Sequence, residues 1–206
     1  MQTYLDNKQI GPDHSTFAAG LQAAADEAAK SGRVIVEALL DGAAVADDIL
    51  ERPPHESLGT ELRLTSVEPR TLVRVTLMDA ADALDSARHE QQRSAELIQS
   101  GKIEDALPAL SAAIQTWQAV RDAVEKSAAL LQMPLDSISM PGGASGTDTL
   151  IELIGALAGR LEEVKRSLAA EDWSALADVL AYDLGEQSQR WKIVLTSLSE
   201  SLKTER

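Results

Sequence analysis

The chain contains no cysteine. That excludes disulfides, thiolate catalysis, iron–sulfur clusters and cysteine-based zinc sites together. Aromatic residues are scarce at 3%, with a single phenylalanine, so the core must be aliphatic. Alanine-rich helices bury less area per residue than leucine- or phenylalanine-rich ones. A bundle built from them needs length, or a second chain, to be stable. Positive charge is also short: 19 Lys and Arg stand against 33 Asp and Glu, a net charge of −14. The deficit is even, −7 in residues 1–68 (5 basic, 12 acidic) and −7 in the remainder (14 basic, 21 acidic). Such a field repels phosphate backbones and anionic lipid, so neither nucleic acid nor membrane is expected as a partner. No apolar run approaches the length of a membrane span. The first residues, MQTYLDNKQI, lack both a basic n-region and an apolar h-region. No signal peptide is therefore expected, and the expected compartment is the cytoplasm.

What is present is an ordinary apolar fraction, 44%, in a chain of 206 residues, enough for a buried core. Its strongest signal is architectural. The hydrophobic period changes once, near Pro69. Before it, short apolar runs alternate with turn residues. After it, apolar residues fall on helical stripes.

In residues 1–68, Thr3 to Ile10 reads as two short strands around the turn pair Asp6-Asn7. After Gly11-Pro12-Asp13, Ser15 or Thr16 can cap a helix with Phe17, Leu21, Ala24, Ala25 and Ala28 on its apolar side. Ser31-Gly32 ends it. Arg33 to Leu40 is β-branched and nearly continuously apolar, the mark of a central strand. Asp41-Gly42 signals a hairpin returning through Ala43 to Val45. Asp47 to Glu51 reads as one helical turn, Pro53-Pro54 as a loop, and Thr60 to Glu68 as a final strand with Leu62 and Leu64 on one face. This order is compatible with a β-grasp (ubiquitin-like) sheet carrying one helix, with a split β-α-β arrangement as the alternative. A ubiquitin-like modifier or sulfur carrier needs a free C-terminal Gly-Gly. Here the segment runs straight into a helix, which favours a docking module.

From Pro69, a good first-turn residue, four helices are expected at about 69–100, 103–132, 148–170 and 172–203. Leu77, Leu84, Gln91 and Ile98 recur every seven residues in the first, and Ile103, Leu110, Trp117, Val124 and Leu131 in the second. Pro108 falls near the start of the second helix, where a missing donor costs little. Leu135 to Gly146 forms a longer crossover holding Ser137, Ser139 and Pro141, after which Thr147 or Asp148 can cap the third helix. The third stripe is Leu150, Ile154, Leu157, Leu161, Val164 and Leu168. The fourth is Trp173, Leu176, Leu180, Leu184, Trp191, Leu195, Leu198 and Leu202. A period near 3.5 suits an elongated antiparallel four-helix bundle. Helices of roughly 30 residues are about 45 Å long. Ile103, Ala106 and Leu110 match Trp173, Leu176 and Leu180 at a spacing of 70, which two hairpins under the same packing rules also produce. Gly101-Lys-Ile-Glu-Asp-Ala-Leu looks like a tetratricopeptide fragment, but no 34-residue period appears. Val67-Glu68-Pro69 leaves no linker, so the parts are expected to be rigidly joined, with the small module at one end of the bundle.

Motifs for chemistry are weak. His14 and His55 fall in expected loops. Asp82, Asp85 and His89 lie near one helix face, resembling part of a carboxylate-bridged metal site. The full pattern needs Glu-x-x-His on two helices, which the chain lacks. Pro141 to Asp148 looks like a phosphate loop but has no Gly-Lys-Ser/Thr ending, and Asp148 would oppose the phosphate. Ser145 is not in a G-x-S-x-G elbow. Carboxylate pairs abound without a context that would shift a pKa. Trp117, Trp173 and Trp191 lie on apolar stripes and read as core. The segment Asp85 to Ser94, DSARHEQQRS, is polar around almost its whole helix. It reads as solvated, or as a docking patch with Arg88, His89, Gln92 and Arg93 as contacts.

The expected fold class is therefore α+β: a β-grasp-like module, 1–68, followed by the four-helix bundle, 69–206. No catalytic residue, metal site or cofactor is expected. The expected role is non-enzymatic, an adaptor with a protein partner, working as a homodimer. The alternative is a cytoplasmic chaperone of the secretion or flagellar type. A metal-dependent enzyme hanging on His89 is the third class.

Overall fold

The computed structural model of the chain describes residues 1–135, 139–141 and 147–204. It is mixed α+β and divides into two compact units, Met1–Leu72 and Val73–Arg206.

The first unit holds a five-stranded sheet of order β2-β1-β5-β3-β4. Strands β1 (Gln2–Leu5) and β2 (Lys8–Gln9) form a hairpin whose two loop residues, Asp6 and Asn7, have φ of 51° and 65°. That is the left-handed pair a two-residue turn of primed type needs. Helix α1 (Phe17–Lys30) is capped by Thr16, whose hydroxyl accepts from Ala19 N. Gly32, at φ 64°, ends it, with Gly32 N donating to Ala29 O and Arg33 N to Ala28 O. This is the reciprocal C-terminal cap that glycine favours. Strands β3 (Val34–Leu40) and β4 (Ala43–Ala44) turn through Asp41 and Gly42, again both at positive φ. A single turn, α2 (Asp47–Glu51), precedes β5 (Glu61–Val67), which runs parallel to β1 and antiparallel to β3.

The central strand is thus β5, not the more apolar Arg33–Leu40 segment. The reason is that only one sheet face is covered. Leu62 and Leu64 are buried with Leu5, Phe17, Ala24, Ala28 and Ala38. On the other face Arg63 lies over the Tyr4 ring at 4.7 Å. The β3 ladder slips between Ile35 and Glu37, and Val36 there is 44% exposed.

Two turn aspartates clamp the ends of β5. Asp41 accepts from Thr60 Oγ1 (2.7 Å), Thr60 N and Glu61 N (2.8 Å) at its start. Asp6 accepts from Ser66 N (2.8 Å) and Ser66 Oγ (2.6 Å) at its end. Those hydrogen bonds favour the ionised form, so both carboxyl groups sit below the usual aspartate range.

In the second unit, α3 (Pro69–Gln99, mostly within this unit) ends at Gly101, φ 75°, with Lys102 N donating to Leu97 O. Helix α4 spans Ile103–Leu130. Pro108 sits in its second turn rather than its first, on an exposed face where the Glu104 carbonyl it leaves unbonded can be hydrated. A short hairpin, β6 (Ser139–Pro141) with β7 (Thr147–Thr149), precedes α5 (Leu150–Ala169). The cap of α5 is Thr149, one residue past Asp148, the later of the two expected caps. It forms a capping box in which Thr149 Oγ1 accepts from Glu152 N and the Glu152 carboxylate accepts from Thr149 N. Of the phosphate-loop-like segment Pro141 to Asp148, residues 142–146, with Ser145, lie outside the described residues, as does Ser137.

The expected fourth helix runs without interruption but carries a π turn. It comprises α6 (Trp173–Asp178), the π turn (Val179–Asp183) and α7 (Leu184–Thr204). Its inward residues explain the π turn. Leu176, Leu180, Leu184 and Ser188 are all buried and spaced by fours. In an α-helix each step of four overshoots a full turn by roughly 40°. One wider π turn brings the series back to a single side, while Tyr182 is left 71% exposed. Leu84, Leu110, Trp117, Leu157, Leu180 and Trp191 share one apolar core drawn from all these helices. Trp117 and Trp191 meet edge to face, centroids 6.0 Å apart. α7 runs antiparallel to α3, since Asp85 pairs with Lys192 (2.6 Å) and Gln91 meets Ser188 (3.3 Å). No described helix is long and apolar enough to cross a membrane.

Candidate functional site

The polar stretch Asp85–Ser94 is not solvated all round. Ala87, Gln91 and Ser94 face inward and are buried. Ser94 Oγ donates to Ala106 O at 3.2 Å. Gln91 is 1% exposed and takes the place of a leucine in the seven-residue series. Its Oε1 lies 3.3 Å from Ser188 Oγ, which also donates to Leu184 O at 2.9 Å. The Gln91 Nε2 has no hydrogen-bond partner among the described residues. A serine hydroxyl has one proton, so whichever way the amide is turned, one of its ends is left unmatched.

Beside this residue lies an open cleft of about 360 Å³ between α3, the π turn and the first turns of α7. Arg88, Gln91 and Gln92 line it from α3, with Leu180, Ala181 and Tyr182 from the π turn and Gly185, Glu186 and Gln189 from α7. With the Gln189 amide oxygen turned toward Arg88, it accepts from Nη1 at 3.2 Å and Nη2 at 3.1 Å and orients the guanidinium. Gln92 Nε2 is held by Glu96 at 2.9 Å. Arg160 on α5 pairs with Glu163 (2.8 Å) and Asp183 (3.5 Å). Its pKa is raised, first by the hydrogen bond to Glu163, then by the charges of Asp183 and Glu163 and, more weakly, of Glu186. The π turn is thereby tied to α5.

Of the four patch residues expected from sequence, Arg88 and Gln92 line the cleft. His89 and Arg93 are exposed farther round α3 and do not, and Arg93 reaches Glu90 at 3.7 Å. Gln91, Tyr182, Glu186 and Gln189 were not foreseen. Two signals pointed to them: a glutamine in a leucine series, and the run of four-residue spacings from Leu176 to Ser188.

The remaining sequence features fall as follows. Asp82, Asp85 and His89 do not form a metal-binding group; among the described residues no three metal-ligating side chains do. His14 lies in a loop, half-buried, with Nδ1 3.0 Å from Thr3 Oγ1. His55 is exposed. Trp117 and Trp191 are fully buried, and Trp173 partly so. A second cleft, about 470 Å³, lies in the α/β unit. Its polar wall is already engaged, since Arg33 donates to Ser66 Oγ and Ser66 O while Asp6 holds Ser66.

Among known proteins, no family model matches the chain, and no curated protein or solved structure matches it either.

Proposed function

We propose that this protein is a non-enzymatic adaptor whose helical unit contacts a partner protein through the cleft between α3 and the π turn. The observation that carries the reading is Tyr182. It is 71% exposed, held out by the π turn, at the rim of a cleft that also contains Arg88. Exposed tyrosine and arginine beside a recess are the residue types in which binding energy concentrates, and π turns recur at functional sites. The α/β unit is read as β-grasp-like, which the order β2-β1-β5-β3-β4 and the single helix after the first hairpin support. The helical unit is read as a four-helix bundle, with α6, the π turn and α7 as its fourth rod. A homodimer fits its alanine-rich helices, and sedimentation at micromolar concentration tests it.

Affinity capture from the native cell, followed by mass spectrometry, tests the adaptor reading. A protein retained by the wild type and lost with Tyr182→Ala and Arg88→Glu supports it. Identical captures by wild type and both variants overturn it.

A chaperone for a helical substrate segment is the second reading. Exposed apolar side chains on the helical unit, among them Val75, Met78, Leu107 and Ile193, favour it. Strong binding of a hydrophobic dye by the folded protein supports the chaperone, and its absence the adaptor.

A further inference from the structure

We infer that the cleft recognises an uncharged carboxamide, the side chain of a glutamine or asparagine carried on a partner's peptide segment. The inference rests on the adaptor reading and names the chemistry of that same site. Its first support is Gln91, nearly fully buried, lining the cleft, with one end of its amide unmatched. A buried polar group without a partner is held at a cost, and turning the Gln91 side chain out into the adjoining recess would let a ligand atom complete it. A carboxamide offers both an acceptor oxygen and two donor hydrogens, so it completes Gln91 in either amide orientation.

The second support is the charge pattern. Arg88 presents a guanidinium from α3, and Glu186 a carboxylate from α7, in the same cleft. Arg88 suits the oxygen of a carboxamide and Glu186 its NH2 group. A ligand carboxylate would meet Glu186 as a like charge, on a chain whose net charge is −14. A ligand ammonium would meet Arg88. A neutral group with both donor and acceptor satisfies both walls without opposing a charge. Tyr182 at the rim can cover the aliphatic stem of the side chain. The volume of about 360 Å³ is at the small end for ligand sites, which fits one side chain and its flanking backbone.

The test uses the full chain, 15N-labelled, and three small probes followed by NMR: N-acetyl-glutamine N-methylamide, the corresponding glutamate and the corresponding leucine. A ligand of this size is expected to bind with a dissociation constant on the order of 1 mM. The glutamine probe should shift the Gln91 and Gln189 side-chain amides saturably. The glutamate and leucine probes should bind at least about tenfold more weakly, because they leave a charge or a polar group opposed or unpaired. Gln91→Met should weaken the glutamine probe by about tenfold while keeping the dispersed spectrum. Glu186→Gln should narrow the gap between glutamine and glutamate probes, an effect that mere loss of packing does not produce. Equal binding of all three probes overturns the inference, as does no saturable shift at these side chains. Tighter binding of free L-glutamine than of the capped probe overturns the peptide source. If the probes fail while partner capture still depends on Tyr182 and Arg88, the carboxamide assignment falls and the adaptor reading stands.

Discussion

Replacing Gln91 with methionine should stabilise the helical unit, an unusual outcome for a buried substitution. Both side chains are unbranched and of similar length, so packing changes little. The native amide is 1% exposed and has one unmatched end, which costs about 1–3 kcal/mol in desolvation. What the substitution removes is the 3.3 Å contact with Ser188, a neutral hydrogen bond worth about 0.5–1 kcal/mol. Ser188 keeps its shorter bond to Leu184 O at 2.9 Å, so no new orphan is created. The balance is a gain of about 1 kcal/mol, or about 3 °C in Tm. Tryptophan fluorescence is the assay, because Trp117, Trp173 and Trp191 all lie in the helical unit and none in the α/β unit. Urea unfolding should show a raised midpoint at unchanged slope. Ser188→Ala should be destabilising in the native background and less so in the Gln91→Met background, since the two sites are coupled. A loss of 1 kcal/mol or more with Gln91→Met would refute the reasoning, because it would mean that the amide is fully satisfied.

Glycine substitutions should split by site. Gly159→Ala, in α5 with nothing within 4 Å of the added carbon, should stabilise by about 1 kcal/mol, whereas Gly20→Ala places that carbon 2.7 Å from Thr3 Oγ1 and should destabilise; thermal unfolding by circular dichroism reads both. Glu171, at φ 52° just past α5, should be improved by Glu171→Gly by about 0.5–1 kcal/mol, read as a denaturant midpoint. The α/β unit should weaken in acid. Asp6 and Asp41 have folded pKa values below their ordinary 3.8, so their contribution is full above about pH 4 and is lost as pH falls through the lowered values. Asp6→Asn and Asp41→Asn should flatten that acid limb in amide-exchange measurements, and an unchanged limb would discount the clamps. Glu152 is held low by its bonds to Thr149, and the same sign applies, so Thr149→Ala should cost about 1 kcal/mol near neutrality and less in acid.

The parts legible in advance were those with local physical causes. Asp6-Asn7 and Asp41-Gly42 announced their turns because few residue pairs accept two positive φ values. Thr16 and Gly32 announced the two ends of α1, the first by its capping hydroxyl and the second by its tolerance of positive φ. The central strand was misjudged because hydrophobicity reports burial, and in a sheet covered on one face the middle strand alternates like any other; β5 is central through its pairing with β1 and β3. The π turn depends on which face of a helix must be buried. That follows from the spacing of Leu176, Leu180, Leu184 and Ser188 only once the neighbouring helices are known. The cleft joins residues about 100 positions apart, Arg88 to Gln189. Its α3 half was visible as an odd polar stretch, and its α7 half was hidden in an ordinary amphipathic helix.

The central claim is that the cleft beside Tyr182 is where a partner binds, and site-specific photocrosslinking in the native cell tests it most directly. A photoreactive phenylalanine analogue is placed at Tyr182 and, as a control of similar character, at Ile151, an apolar residue 51% exposed on α5. A discrete adduct at 182 that is absent at 151, and that disappears with Arg88→Glu, is the predicted result. No adduct at 182, or the same adducts at both positions, would contradict it.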